Sequence, residues 1–261
     1  DAELTAALRK LSKTHHATLY MTLLAAWSLL MLRMSGQSGV TIGTPCANRA
    51  RPELEELIGL FTNMLALRIG VDASTTVGEL LARVKATFLA AQQHEHLPFE
   101  QIVELVQPER SIAYNPLFQV MFVWEGLSHG EGFGLPGLFA ESMQPTGFRT
   151  AKFDLTLALS ERELTIGGSI EFATALFDRD TIERFVGYFI GLLRGMVGNP
   201  SQYAARLPML PDCESQQILH DWNETALAFP SDCFGHQWIE QQALRSPDAV
   251  AISHQATRTV P

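Results

Sequence analysis

A chain of 261 residues, 46% apolar and 18% charged, can bury a core without disulfides or metals and is far from a disordered composition. Its formal charge of −9 offers no basic footprint to nucleic acid. Three widely separated cysteines (Cys46, Cys213 and Cys233) argue against a disulfide scaffold and fit a reducing cytoplasm.

Two helices open the chain. Leu4, Ala7, Leu8 and Leu11 recur at helical spacing, and residues 18–34 are apolar on nearly all sides before the Ser35-Gly36 stop signal. The run 21–34 is too short for a relaxed membrane span and contains Arg33, so a buried helix is expected and no membrane partner. A short strand over 40–42 leads into the segment GTPCANRARPE, which Pro45 and Pro52 keep out of helix. Alternation over 58–69 predicts a strand. Thr76 and Glu79, spaced as a capping box, begin a helix whose period continues to about His94. Pro98 starts a shorter helix that Pro108 closes.

The following part reads as sheet. Residues 118–125 form an apolar strand, and a Gly-rich stretch follows over 126–137. Phe153, Leu155, Leu157 and Leu159 alternate with polar residues, and a hairpin mate is expected across Glu161-Arg162. Asp178 or Asp180 caps an amphipathic helix ended by Gly198 and Pro200. From about residue 202 the chain is proline-punctuated and reads as a surface linker, before one more helix within 232–251.

Candidate chemistry is sparse. No carboxylate follows His15-His16 to orient a base, and the pair is expected at a helix N-terminal region, near solvent. His94 and His96 sit two apart, which points to different faces of a helix, and no third metal ligand is evident. Nothing near Cys46 lowers a thiol pKa. Asp154 lies within an apolar strand and is expected to pair with Lys152 or an arginine. The Gly-rich stretch carries neither a Walker nor a dinucleotide pattern. No residue here is expected to be catalytic and no metal is expected.

Four segments, IGTPCANR (42–49), IGLFTNMLALR (58–68), HEHLPFEQIVELVQPERSIAYNPLFQVMFVWE (94–125) and KFDLTLAL (152–159), resemble the condensation domain of nonribosomal peptide synthetases, specifically its C-terminal lobe. The resemblance covers residues 1–200. Residues 201–225 resemble the linker that follows such a domain, and 226–261 resemble the truncated start of an adenylation domain. The resemblance implies an α/β, chloramphenicol acetyltransferase-like sandwich lobe, a mixed sheet with helices packed on it. It implies partners: an N-terminal lobe across a cleft, peptidyl carrier proteins, and an adjacent adenylation domain. No cofactor would bind directly, because phosphopantetheine arms of the carriers bring the substrates. An acceptor amine would attack a donor thioester to form an amide.

The family's His-His-x-x-x-Asp-Gly motif is absent. After His15-His16, the Asp and Gly positions hold Tyr20 and Met21. The fragment alone is therefore expected to be inactive. The resemblance places Thr44, Ala47 and Asn63 toward the substrate tunnel, with Asn63 positioned to orient a thioester carbonyl. Pro45, Arg49, Pro98, Phe99, Arg110, Asn115 and Asp154 are expected to be structural. The other reading is an epimerisation-type or degenerate condensation-like domain that serves as a protein-interaction platform.

Overall fold

The computed structural model describes residues 1–49, 51–109, 111, 114–125, 150–162, 164–226, 234–250, 252–254 and 257–259. Arg110, Cys233 and all of the Gly-rich stretch, among the sequence expectations, lie outside them. The chain forms two compact units, residues 1–212 and 213–261.

The first unit is built around one helix. Helix α1 (Ala2–Thr14) starts at Asp1, whose carboxylate accepts from the Leu4 N–H at 2.8 Å. Helix α2 (Leu19–Ser35) is capped by Thr18 and ends at Gly36, whose φ of 68° is the left-handed turn that glycine adopts without strain. Leu23, Leu24, Ala25, Ala26, Trp27 and Leu30 of α2 are all fully buried. Neighbours surround it: α1, α3 (Val77–Gln92) and α5 (Arg179–Gly198), with the sheet beneath. This explains a helix with hardly any polar face. Among the described residues, no single helix is long and apolar enough to cross a membrane.

Among the described residues the sheet has five strands, in the order β2-β1-β3-β4-β5. Strand β1 (Gly39–Cys46) pairs antiparallel with β2 (Asn63–Gly70) along its whole length. It pairs in parallel with β3 (Val120–Glu125) only at Ile42–Val120 and Gly43–Met121. Strand β3 runs parallel to β4 (Leu155–Arg162), which forms an antiparallel hairpin with β5 (Thr165–Phe172). The expected α/β lobe, a mixed sheet with helices packed on it, is therefore what forms. The Thr76–Glu79 capping box is present, with Thr76 N donating to Glu79 at 2.8 Å and Glu79 N to Thr76 at 3.2 Å.

Several boundaries differ from the sequence expectation, each for a pairing reason. Strand β1 runs on through Pro45, because past Gly43 it has no ladder to β3 that a missing N–H would break. Strand β2 begins only at Asn63, since its partner ends at the facing Cys46. Residues 58–62 therefore stay outside the sheet, with Ile58 and Leu60 fully exposed. The hairpin turn falls after Arg162, which pairs with Thr165, and not across Glu161-Arg162. Chain beyond residue 200 is not all surface linker. Ala204 and Leu207 are buried in the core, and Val77 N, Gly78 N and Ala204 N bond to Gln202 O, Pro200 O and Thr75 O at 2.8–3.0 Å.

A short helix that the sequence reading did not foresee, α6 (Asp212–Leu219), follows. The second unit holds α7 (Gly235–Arg245) and a small hairpin of β6 (Ile252–His254) and β7 (Thr257–Thr259).

Candidate functional site

Where β1 and β3 diverge beyond Gly43, the sheet opens into a cavity of about 340 Å³. Thr44 and Ala47 line it together, with Trp124 of β3 and Phe88 of α3 among its walls. Thr44 is almost fully buried, and its hydroxyl accepts from the Tyr20 O–H at 2.9 Å. Tyr20 stands in the first turn of α2, its ring 4.8 Å from Phe88 and 5.2 Å from Phe122. Burial, aided by nearby Cys46 and opposed by the Thr44 bond, pushes the Tyr20 phenol up to about 12. It therefore stays a neutral donor at pH 7. Burial chiefly, and the Glu95 carboxylate next, also raise the Cys46 thiol, which lies 3.5 Å from Asn63 O. That thiol is a wall, not a nucleophile.

Asn63 differs from its expected role. Its amide N donates to Glu95 O at 2.8 Å and Leu97 O at 2.7 Å, while its amide oxygen accepts from Phe99 N at 3.2 Å. Both N–H groups are taken, so none remains to orient a thioester carbonyl, and Asn63 is not among the residues lining the cavity. It clamps residues 95–99 to β2 instead. Pro98 then opens α4 (Phe99–Val106) as its N-cap. Sequence reasoning could not see this, because the partners are backbone groups more than thirty positions away.

Other predicted residues brace this edge. Arg49 donates to the Leu54 carbonyl, lies 3.3 Å from Glu55 O and has its guanidinium 4.3 Å from the centre of the Phe61 ring. Pro45 sits within β1, facing Met64. Asn115 donates to Lys152 O at 2.9 Å. The Asp154 backbone joins Gln119 O and Ala173 N at 3.0 Å, but its carboxylate has no ion-pair partner among the described residues, in contrast to the expected pair. Burial pushes that carboxyl up.

Phe99 reaches Phe118, which stacks on Phe153, with ring centres 5.5 Å apart in both pairs. Gly43 makes room for this ring. A Cβ there would come within 2.1 Å of it. The turn feeding Phe118 is strained, because Leu117 holds φ at 68° while Phe118 N bonds back to Pro116 O at 2.9 Å.

The histidine pairs take no part. His15 is the C-cap of α1 and His16 sits at φ 50°, so the pair ends one helix where the sequence reading put it at a helix N-terminal region. His94 and His96 stand with ring centres 6.3 Å apart, and no group of potential ligands among the described residues would hold a metal. A second depression, about 260 Å³, lies between α1, α5 and β5 and is walled mainly by apolar side chains such as Leu8, Leu157 and Phe189. None of the candidate residues among those described lines it. Tyr20 and Glu95 are the site residues the sequence reading missed. A tyrosine in the opening turn of an otherwise apolar helix was the available signal for the first.

The Condensation domain family model matches residues 1–219. The chain is 46% identical over 254 residues to malpinin synthetase of Mortierella alpina, covering 97% of this chain and 3% of that protein. A holo four-domain nonribosomal peptide synthetase bound to AMP and glycine superposes with a TM-score of 0.79 at 23% identity, over 96% of this chain and 20% of that one. The complex of the X-domain and OxyB from teicoplanin biosynthesis gives a TM-score of 0.72 at 29% identity, over 81% of this chain and 47% of that one. The chain thus spans only a small part of the curated relatives it matches, and it belongs to the condensation-domain family of nonribosomal peptide synthetases.

Proposed function

We propose that residues 1–200 are the C-terminal lobe of a condensation domain, 201–225 its linker and 226–261 the start of an adenylation domain. In this reading the lobe is one wall of the tunnel where a carrier-bound aminoacyl amine attacks an upstream acyl or peptidyl thioester. Both substrates arrive on phosphopantetheine arms, so the lobe itself holds no cofactor. The N-terminal lobe, peptidyl carrier proteins and an adjacent adenylation domain are its partners. A cytoplasmic setting fits the unpaired Cys46 and Cys213.

The observation that carries the reading is one mixed sheet of five described strands and its helices, matching about half of the X-domain chain, with a cavity opening at the end of β1. The chemistry fits a wall and not a catalytic centre. Tyr20 and Cys46 stay neutral, and the motif His-His-x-x-x-Asp-Gly is not encoded. Positioning and proton transfer each supply large factors in acyl transfer. The 261-residue chain mixed with two loaded carrier proteins should therefore form no amide above the uncatalysed rate. Adding an N-terminal lobe that carries the histidine motif should restore product. Amide formed by the chain alone, and lost in His16→Ala, would overturn the assignment.

The likeness to an X-domain solved with OxyB favours a second reading, a platform that binds proteins without condensing. In that case the restored two-lobe protein would capture a partner yet form no amide.

A further inference from the structure

The cavity at the end of β1 is lined by one cation and one anion that are held differently. Its ionisable lining groups among the described residues are Tyr20, Cys46, Arg49 and Glu95. Tyr20 and Cys46 are neutral at pH 7, as shown above. Arg49 keeps its positive charge, but its Nη1 donates to the Leu54 and Glu55 carbonyls and its guanidinium lies over the Phe61 ring, which anchors it toward residues 54–61. Glu95 is half-buried, and its carboxylate has no hydrogen-bond or ion-pair partner among the described residues. Its backbone is held in place by the Asn63 clamp, so the side chain departs from a fixed point on the wall.

The remaining walls suit an aliphatic stem. Leu65, Phe88 and Trp124 are apolar, and the Tyr20 ring is packed against Phe88. Aromatic faces near a carboxylate favour a cation over a neutral group of equal size. A volume of about 340 Å³ accepts one amino-acid side chain and excludes a folded peptide.

We propose that this cavity is a side-chain pocket selective for a basic amino-acid side chain, with Glu95 as its specificity-determining residue. The inference rests on the reading of this lobe as a substrate-tunnel wall and names the substrate class that the wall admits. The methylene stem lies against Leu65, Phe88 and Trp124, and the ammonium meets Glu95 near the mouth. Asn63 acts one step behind, by fixing residues 95–99.

The test is calorimetric titration of the 261-residue chain with stable pantetheine amides of lysine, norleucine and glutamate. Lysine should bind about tenfold tighter than norleucine, the size of one charge-assisted contact at a part-exposed site. Glutamate should bind weakest. Glu95→Gln should equalise lysine and norleucine with an unchanged melting temperature, because the carboxylate makes no bond within the fold. Glu95→Lys should turn the preference toward glutamate. A lysine preference that survives Glu95→Gln overturns the role of Glu95. Equal binding of all three analogues by the unaltered chain overturns the selectivity and leaves the condensation reading standing. Binding of none at millimolar concentration removes this cavity from the substrate path altogether, and with it the inference. Amide formation by the restored two-lobe protein, measured separately, decides the broader reading.

Discussion

Helices α2 and α4 are both apolar, yet they live in opposite environments. Twelve residues of α2, from Met21 to Leu32, are buried, whereas no residue of α4 is, and Leu105 and Val106 stand exposed. The sequence marked both segments as helices, one by its apolar run and the other by Pro98 and Pro108, but did not decide which would be central. Position did. Helix α2 is enclosed by α1, α3, α5 and the sheet, while α4 touches β2 and is tied down at one end, through Asn63 and Phe99. One helix holds the lobe together, and the other hangs from the wall of the candidate site.

The sharpest way to break this contrast is Trp27→Ala in α2. Trp27 is fully buried, edge-on to Phe189 with ring centres 6.0 Å apart, and truncation should cost about 3–5 kcal/mol in denaturant unfolding. A loss below 1 kcal/mol would mean that α2 is not the hub. Its indole N–H has no acceptor among the described residues, so part of the burial gain is already offset.

The next effect is alkaline and belongs to the first turn of α2. The Tyr20 phenol is raised to about 12, so the fold disfavours its ionised form. The stability linked to it is complete below pH 10 and is lost as pH rises through 12, by about 3 kcal/mol in all. Tyr20→Phe should remove that alkaline loss from a pH series of denaturation curves, at the cost of the Thr44 hydrogen bond. A variant as alkali-sensitive as the parent would show that another group is responsible.

Smaller still is Asn63→Ala, which releases residues 95–99 and α4 but leaves the α2 core intact. It should lower global stability by about 1–2 kcal/mol. Limited proteolysis should move to residues 95–107. Cleavage spread evenly over the chain would mean that the clamp supports the whole lobe. Leu105→Ser marks the low end, within about 0.5 kcal/mol, since its side chain is largely solvated already. A large loss there would show that a surface now exposed is covered in solution.

Local signals carried most of the fold. The Thr76–Glu79 box, the Gly36 stop and the alternation of Leu155, Leu157 and Leu159 need only neighbouring residues, and each formed as read. Strand ends were less legible because a partner sets them. Residues 58–62 alternate like a strand but have no β1 to face. Helix α6 lacks a buried face, so no apolar period announced it. Of the site, the resemblance brought Thr44 and Ala47 to one cavity, but it could not show that Asn63 is bound to loop backbone. The fit of Phe118 over Gly43 was equally invisible, since a glycine in a strand looks like a weakness until the ring above it is seen.

The short parallel seam between β1 and β3 has a kinetic and mechanical side. It divides the sheet into two panels, β2-β1 and β3-β4-β5, joined directly by Ile42–Val120 and Gly43–Met121. Each panel contains an antiparallel ladder between strands near in sequence, which closes at small entropic cost. The seam joins strands separated by α3 and α4, so its closure is the longest-range pairing in the sheet and is expected to form after the two antiparallel ladders. Helix α2, which touches both β1 and β3, then acts as the rivet across the joint. Pulled apart or warmed, the lobe should part along this line, and amide exchange at Gly43, which faces β3, should outrun that of Ile42, which faces β2.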